Sequence, residues 1–228
     1  MSRIGAEPYL AALVLRGRRC LVVGAGSVGL EKIEGLLACS AEVRVVAPRC
    51  HDEVVALARE GALELLNRPY EPRDLDGCYL AVAATSDEEL NRRVFTDCEA
   101  RRIFCNVVDA PALCSFILPA VLRSGPIAIA VSTSGTSPVL AQRMRDEIGA
   151  AIGPEYARLA ELLDSLRDWA KEHLPTYDAR RDFFASIVNG RPDPIELLRA
   201  GRSAELDELI AARRAAALGS GEQPGDAL

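Results

Sequence analysis

The chain has 228 residues and 49% hydrophobic content, enough for a substantial core in one or two compact domains and too apolar for a disordered tail. Its 27 basic and 33 acidic residues leave a net charge of −6, so bulk electrostatics gives no reason to expect a nucleic acid or an anionic membrane as partner. Among the basic residues only Lys32 and Lys171 are lysines. The arginines that make up the rest take carboxylates and phosphates in two-point contacts, although genome composition is the favoured explanation of such a bias.

No apolar run approaches the ~18 to 20 residues of a membrane helix, and the start MSRIGAEPYLAALVLRGRRC lacks the pattern of a secretory signal, so the protein is expected in the cytoplasm. Seven cysteines, at 20, 39, 50, 78, 98, 105 and 114, include no C-x-x-C pair and have only His51 nearby. They form neither a disulfide framework nor a zinc site. Cys20, Cys78 and Cys105 sit in apolar runs, where cysteine acts as a small hydrophobe. His51 and His173 have no spacing partner and are expected at the surface or in local hydrogen bonds.

Along the chain, RCLVV (19–23) reads as a strand, followed by Gly24-Ala25-Gly26-Ser27-Val28-Gly29 and a helix with apolar residues at helical spacing. Further strands are predicted at 42–47, 62–70, 78–84 and 103–108, with helices at 52–60 and about 87–101. Strands alternating with helices at this rhythm predict an α/β fold with a Rossmann-type parallel sheet and right-handed crossovers. Two apolar β-like segments, 116–122 and 126–131, follow as a hairpin outside that unit. From Ser137 onward the pattern is helical. The expected divisions are a dinucleotide-binding domain at 1–115, a central segment at 116–152, a helical domain at 153–218 and a disordered tail at 219–228.

The G-x-G-x-x-G run lies between a strand and a helix, where the first glycine permits the tight turn, the second lets backbone approach a pyrophosphate and the third lets helix pack on strand. Gly24, Gly26 and Gly29 are therefore candidate cofactor-binding residues, with the helix N-terminus facing the phosphates. The carboxylate expected about 20 residues on for the ribose of NAD is absent. Val46-Ala47-Pro48-Arg49 stands there instead, and Arg49 suits a 2′-phosphate as well. Thr85, at the end of the fourth strand, borders the same crevice or caps the next helix. Asn106-Val107-Val108-Asp109-Ala110-Pro111 puts a carboxylate just past a buried strand on the edge that carries the glycine turn. Partly withdrawn from water, Asp109 could pass a proton; alternatively it initiates the turn before Pro111. The hydroxyl-rich run from Ser132 to Pro138, with Thr133, Ser134 and Thr136, either receives substrate carboxylates together with Arg143 and Arg145 or supplies Ser137 as a helix cap.

GAGSVGLEKIEGLL, AVAAT, RRIFCNVVDAP, SFILPA and VSTSGTSPVLAQRMR, in this order from about residue 8 to 150, resemble the precorrin-2 dehydrogenase family, NAD-dependent enzymes of sirohaem synthesis, some of which are also sirohydrochlorin ferrochelatases. The C-terminal helices resemble that family's helical domain only loosely. The resemblance implies a Rossmann-type NAD domain, a central segment through which two protomers exchange contacts as a homodimer, and a helical domain. It implies precorrin-2 and sirohydrochlorin as substrate and product, Asp109 as the catalytic residue, and NAD contacts at Ser27, Val28, Pro48 and Arg49. Asn106 joins the candidate substrate-binding residues. Thr133 stands where some relatives have serine. No methyltransferase domain follows, so the chain is not expected to make precorrin-2 itself. Insertion of ferrous ion is left open, and oxidation by NAD needs no bound metal. The alternative is an NAD-sensing module without catalysis.

Overall fold

The computed structural model describes residues 7–219. Its first compact unit runs to Pro119 and takes back Ser132–Pro138. In chain order it holds β1 (Arg19–Ala25), α1 (Ser27–Leu37), β2 (Glu42–Cys50), α2 (Asp52–Arg59), β3 (Glu64–Leu66), β4 (Leu80–Ala83), α3 (Glu88–Arg101) and β5 (Phe104–Val107). All five strands are parallel, in the order β3-β2-β1-β4-β5. After β3 the chain crosses back to lay β4 on the other side of β1, and this reversal opens a crevice at the carboxyl ends of the strands.

Side chains alternate between the two faces along each strand. Cys20, Val22, Val45 and Val82 pack with Ile33 of α1 and Val54 of α2, whereas Leu21, Val23, Ala81 and Ala83 pack with Val94 and Cys98 of α3. Burial on both faces is why these strands read as unbroken apolar runs. The boundaries differ from the sequence expectation where pairing decides them. β2 continues past Ala47 to Cys50, which pairs with Ala25 across an irregularity after Val23, so Pro48 and Arg49 belong to the strand. β3, at the sheet edge, keeps only three of the nine residues predicted.

The second unit comprises Ala120–Val131 and the described chain from Val139. Only part of the apolar run 116–122 becomes strand: β6 (Ala120–Ser124) pairs antiparallel with β7 (Ile127–Val131) around Gly125 and Pro126. Gly125 has φ +52°, the left-handed region that a tight hairpin turn demands. Helices follow as α4 (Pro138–Ala151), α5 (Pro154–Ser165), α6 (Arg167–His173), α7 (Tyr177–Val188), α8 (Pro194–Arg199) and α9 (Ser203–Gly219). Leu166 separates α5 from α6 in what reads as one continuous helical pattern, and its side chain enters a core with Ala170, Phe183, Ile187, Leu197 and Leu206. The predicted tail lies outside the described residues except for Gly219, which ends α9. Among the described residues no helix is long and apolar enough to cross a membrane.

Candidate active site at the carboxyl edge of the sheet

The three glycines of the first turn are required for different reasons. Gly24 has φ +101°, and a Cβ there would lie 2.4 Å from the carbonyl oxygen of Ala84. Conformation and close approach therefore both exclude a side chain. Gly29 has ordinary helical backbone, but its Cβ would stand 2.3 Å from the carbonyl oxygen of Gly24, so only glycine lets α1 sit on the end of β1. Gly26 is exposed, and a Cβ there would meet nothing within 4 Å.

The protein's own packing thus gives no reason for glycine at 26. Gly26 caps α1 without a side-chain hydrogen bond, and no acidic residue occupies the first turn. The first helical bond runs from the Leu30 N–H to the Gly26 carbonyl, which leaves the N–H groups of Ser27 and Val28, both exposed, without an intrahelical acceptor. This open backbone cradle with a positive helix end fits the pyrophosphate of a dinucleotide.

Backbone bonds beyond the strands align the neighbouring ends with this turn. The N–H of His51 donates to Ala25 at 2.8 Å, that of Ala84 to Val23 at 2.8 Å and that of Val108 to Ala83 at 3.0 Å. Pro48 and Arg49 are exposed at the end of β2. Asn67, with its amide nitrogen turned toward them, donates to the carbonyls of Ala47 and Pro48 at 3.0 Å each. Nothing in its local sequence singles out Asn67, because its partners lie on another strand.

Thr85 does not cap α3. The cap is Asp87, whose carboxylate accepts from the Leu90 N–H at 3.0 Å. The Thr85 hydroxyl donates to Asn91 Oδ1 at 2.8 Å, and Asn91 Nδ2 returns a bond of 2.9 Å to the Thr85 carbonyl. Thr85 therefore braces the loop whose Ala84 carbonyl presses on Gly24. The run Asp87-Glu88-Glu89 before an amphipathic stretch was the available sequence signal for the true cap.

Asp109 follows β5 on the same rim as the glycine turn, two strand spacings from β1, or about 10 Å. Its φ of +59° is left-handed, a conformation aspartate tolerates better than most residues. Its carboxylate is not partly withdrawn from water as expected: the residue is exposed and makes no hydrogen bond or ion pair among the described residues. It lies past the last strand residue, Val107.

Other candidates have different surroundings. Asn106 is 9% exposed, and its Nδ2 donates to the Phe116 carbonyl at 3.0 Å. Its amide thus holds a neighbouring segment. Ser132 Oγ accepts from the Ser134 N–H, and the Thr133 hydroxyl both accepts from the Ser137 N–H and donates to the Ser137 carbonyl. With Ser134 at φ +51° and Gly135 at +77°, the run is a loop fastened on itself, and Thr136 is its exposed hydroxyl. Arg143 lies in the second unit, exposed, with its Nε 2.8 Å from Glu147 one helical turn away. Among the described residues, no three His, Cys, Asp or Glu side chains group to hold a metal ion. Shallow clefts lined by Arg18, Arg19, Glu42 and Tyr79 lie at the opposite, amino-terminal rim.

Family models match in order along the chain: NAD(P)-binding at residues 11–120, sirohaem biosynthesis protein central at 124–151 and sirohaem synthase dimerisation region at 155–213. The siroheme synthase of Pseudomonas paraeruginosa (strain DSM 24068 / PA7) is 44% identical over 204 residues, 90% of this chain and 43% of the relative. That of Chromobacterium violaceum is 45% identical over 178 residues, 78% of this chain and 38% of the relative. The chain therefore spans less than half the length of these curated relatives. The solved structure of SirC, precorrin-2 dehydrogenase, has the same fold, with a TM-score of 0.74 at 23% identity, covering 91% of this chain and 99% of that one. The NAD(P)-binding, central and dimerisation models, matched one after another along the chain, place it in the sirohaem synthase family.

Proposed function

We propose that the protein oxidises precorrin-2 to sirohydrochlorin with NAD as hydride acceptor. The observation that carries this reading is the open cradle at Gly26, on the same strand-end rim as the exposed carboxylate of Asp109. The name of the SirC structure and those of the siroheme synthases supply the substrate class.

NAD, when bound, supplies the acceptor for one hydride. The N–H groups of Ser27 and Val28 at the start of α1 would hold its pyrophosphate. Pro48 and Arg49 would hold the adenosine ribose, where many dinucleotide sites place an acid. Ala84 and Thr85 form the wall on the far side of Gly24. On the substrate side, a carbon–hydrogen bond of the macrocycle breaks and its electron pair leaves with the hydrogen. The oxidised macrocycle then sheds one proton, which the carboxylate of Asp109 accepts and passes to solvent. Being exposed, Asp109 exchanges that proton with water directly.

The exposed Thr136 on the Ser132–Ser137 loop orients substrate carboxylates. The match of 155–213 to a dimerisation region supports a homodimer. The test is anaerobic incubation of the purified protein with NAD and enzymatically generated precorrin-2. NADH is expected to appear in step with sirohydrochlorin. Silence with intact, directly measured NAD binding would overturn the dehydrogenase reading in favour of a sensor.

A further inference from the structure

β5 is the last strand of its sheet, so one of its edges lacks a strand partner. Side chains complete that edge. Ser115 Oγ accepts from the Cys105 N–H at 2.7 Å, while the Ser115 N–H donates to the Cys105 carbonyl at 2.8 Å. Cys114 Sγ accepts from the Val107 N–H at 3.3 Å, and its thiol faces the carbonyls of Val107 at 3.3 Å and Ala110 at 3.4 Å. Asn106 Nδ2 reaches the Phe116 carbonyl and lies 3.6 Å from Cys114 Sγ. These contacts fasten the entry, middle and exit of the turn that carries Asp109. The Asp109 carboxylate has no partner of its own among the described residues, so the direction it takes is set by the backbone of that turn.

We infer that Cys114, with Ser115 and Asn106, forms a clasp that positions the carboxylate of Asp109, so that Cys114 is a positioning residue for proton acceptance. This rests on the dehydrogenase reading above. Burial pushes the Cys114 thiol above its ordinary pKa, against the pull of the Val107 N–H, so the sulfur stays a protonated donor at neutral pH. Small displacements of a reacting group lower the chemical step more than binding.

The experiment compares Cys114→Ala and Cys114→Ser in the full chain, measuring kcat and KM for precorrin-2, NAD affinity and hydrogen exchange at residues 107–113 without cofactor. The alanine variant is expected to lose roughly 10- to 100-fold in kcat with KM and NAD affinity unchanged, and to exchange the Val107 and Ala110 amides faster. The serine variant, which keeps a donor and an acceptor, recovers most of the rate. Wild-type kcat in Cys114→Ala overturns the inference. If that variant fails to fold, Ser115→Ala takes its place with the same expectation, and an unchanged kcat refutes the clasp. If the unmodified protein makes no NADH, the dehydrogenase reading fails by itself, and exchange of the 107–113 amides unaltered by Cys114→Ala separately overturns the clasp.

Discussion

Replacing Gly26 and Gly29 by alanine, one at a time, separates a glycine kept for a ligand from one kept for packing. At Gly26 the backbone is extended, φ −78° and ψ −170°, which alanine adopts freely, and the new methyl meets no protein atom within 4 Å. Losing glycine as the helix cap costs at most about 1 kcal/mol. That methyl occupies the space through which the pyrophosphate reaches the helix end. Overfilling a close contact costs about 1–3 kcal/mol, and at about 1.4 kcal/mol per decade NAD affinity falls roughly 5- to 150-fold. At Gly29 the methyl stands 2.3 Å from the Gly24 carbonyl oxygen, so main chain has to move. Moving main chain takes the upper part of that range, about 2–3 kcal/mol, and helix propensity returns about 1 kcal/mol, leaving a net destabilisation of about 1–2 kcal/mol. Calorimetric titration with NAD and urea unfolding read the two quantities separately. Gly26→Ala that binds NAD like the unaltered protein, or that unfolds as readily as Gly29→Ala, would refute the reasoning.

Other outcomes follow from the same contacts. Asp109→Asn keeps a residue suited to φ +59°, so NADH production should cease while melting temperature and NAD affinity hold; Asp109→Ala should add about 1 kcal/mol of strain on unfolding. Asp74 is buried beside Arg68, with contacts of 2.9 and 2.5 Å. Burial alone would raise its carboxyl, but the Arg68 guanidinium, the Glu71 N–H and Arg44 hold it below the ordinary 3.8. A carboxyl depressed in the folded state stabilises above its unfolded pKa and loses that contribution as pH falls through the folded value. Asp74→Asn should therefore cost about 2 kcal/mol at neutral pH and flatten the loss of stability below about pH 4, and urea titrations at stepped pH decide it. Gly125→Ala puts a methyl 3.2 Å from Ala157 Cβ at φ +52°, which should destabilise the hairpin unit by about 1–2 kcal/mol; unchanged urea unfolding would contradict this.

The parallel sheet and the glycine turn were legible because their causes are local, whereas the strand order β3-β2-β1-β4-β5 came only from the structure. An apolar run of four or five residues, a glycine triplet and a helical stripe each report their conformation within a few neighbours. The spacing suggested distinct duties for Gly24, Gly26 and Gly29, and the structure places a carbonyl against the first and third and open space at the second. The family resemblance was legible for the same reason, since its motifs are contiguous.

What the sequence by itself determined is the identity of these elements and which strand ends share an edge. Only the tertiary structure decided which polar side chains face solvent and which are taken up inside. Thr85 turns to Asn91, Asn106 turns to Phe116, and Cys114 closes the edge of β5. Each of these bonds joins residues that an alternation of apolar and polar positions does not relate. Asp109 lies exposed in the turn beyond Val107, where β5 ends. Burial and hydrogen-bond partners are properties of chain segments brought together, and no short window of residues contains them.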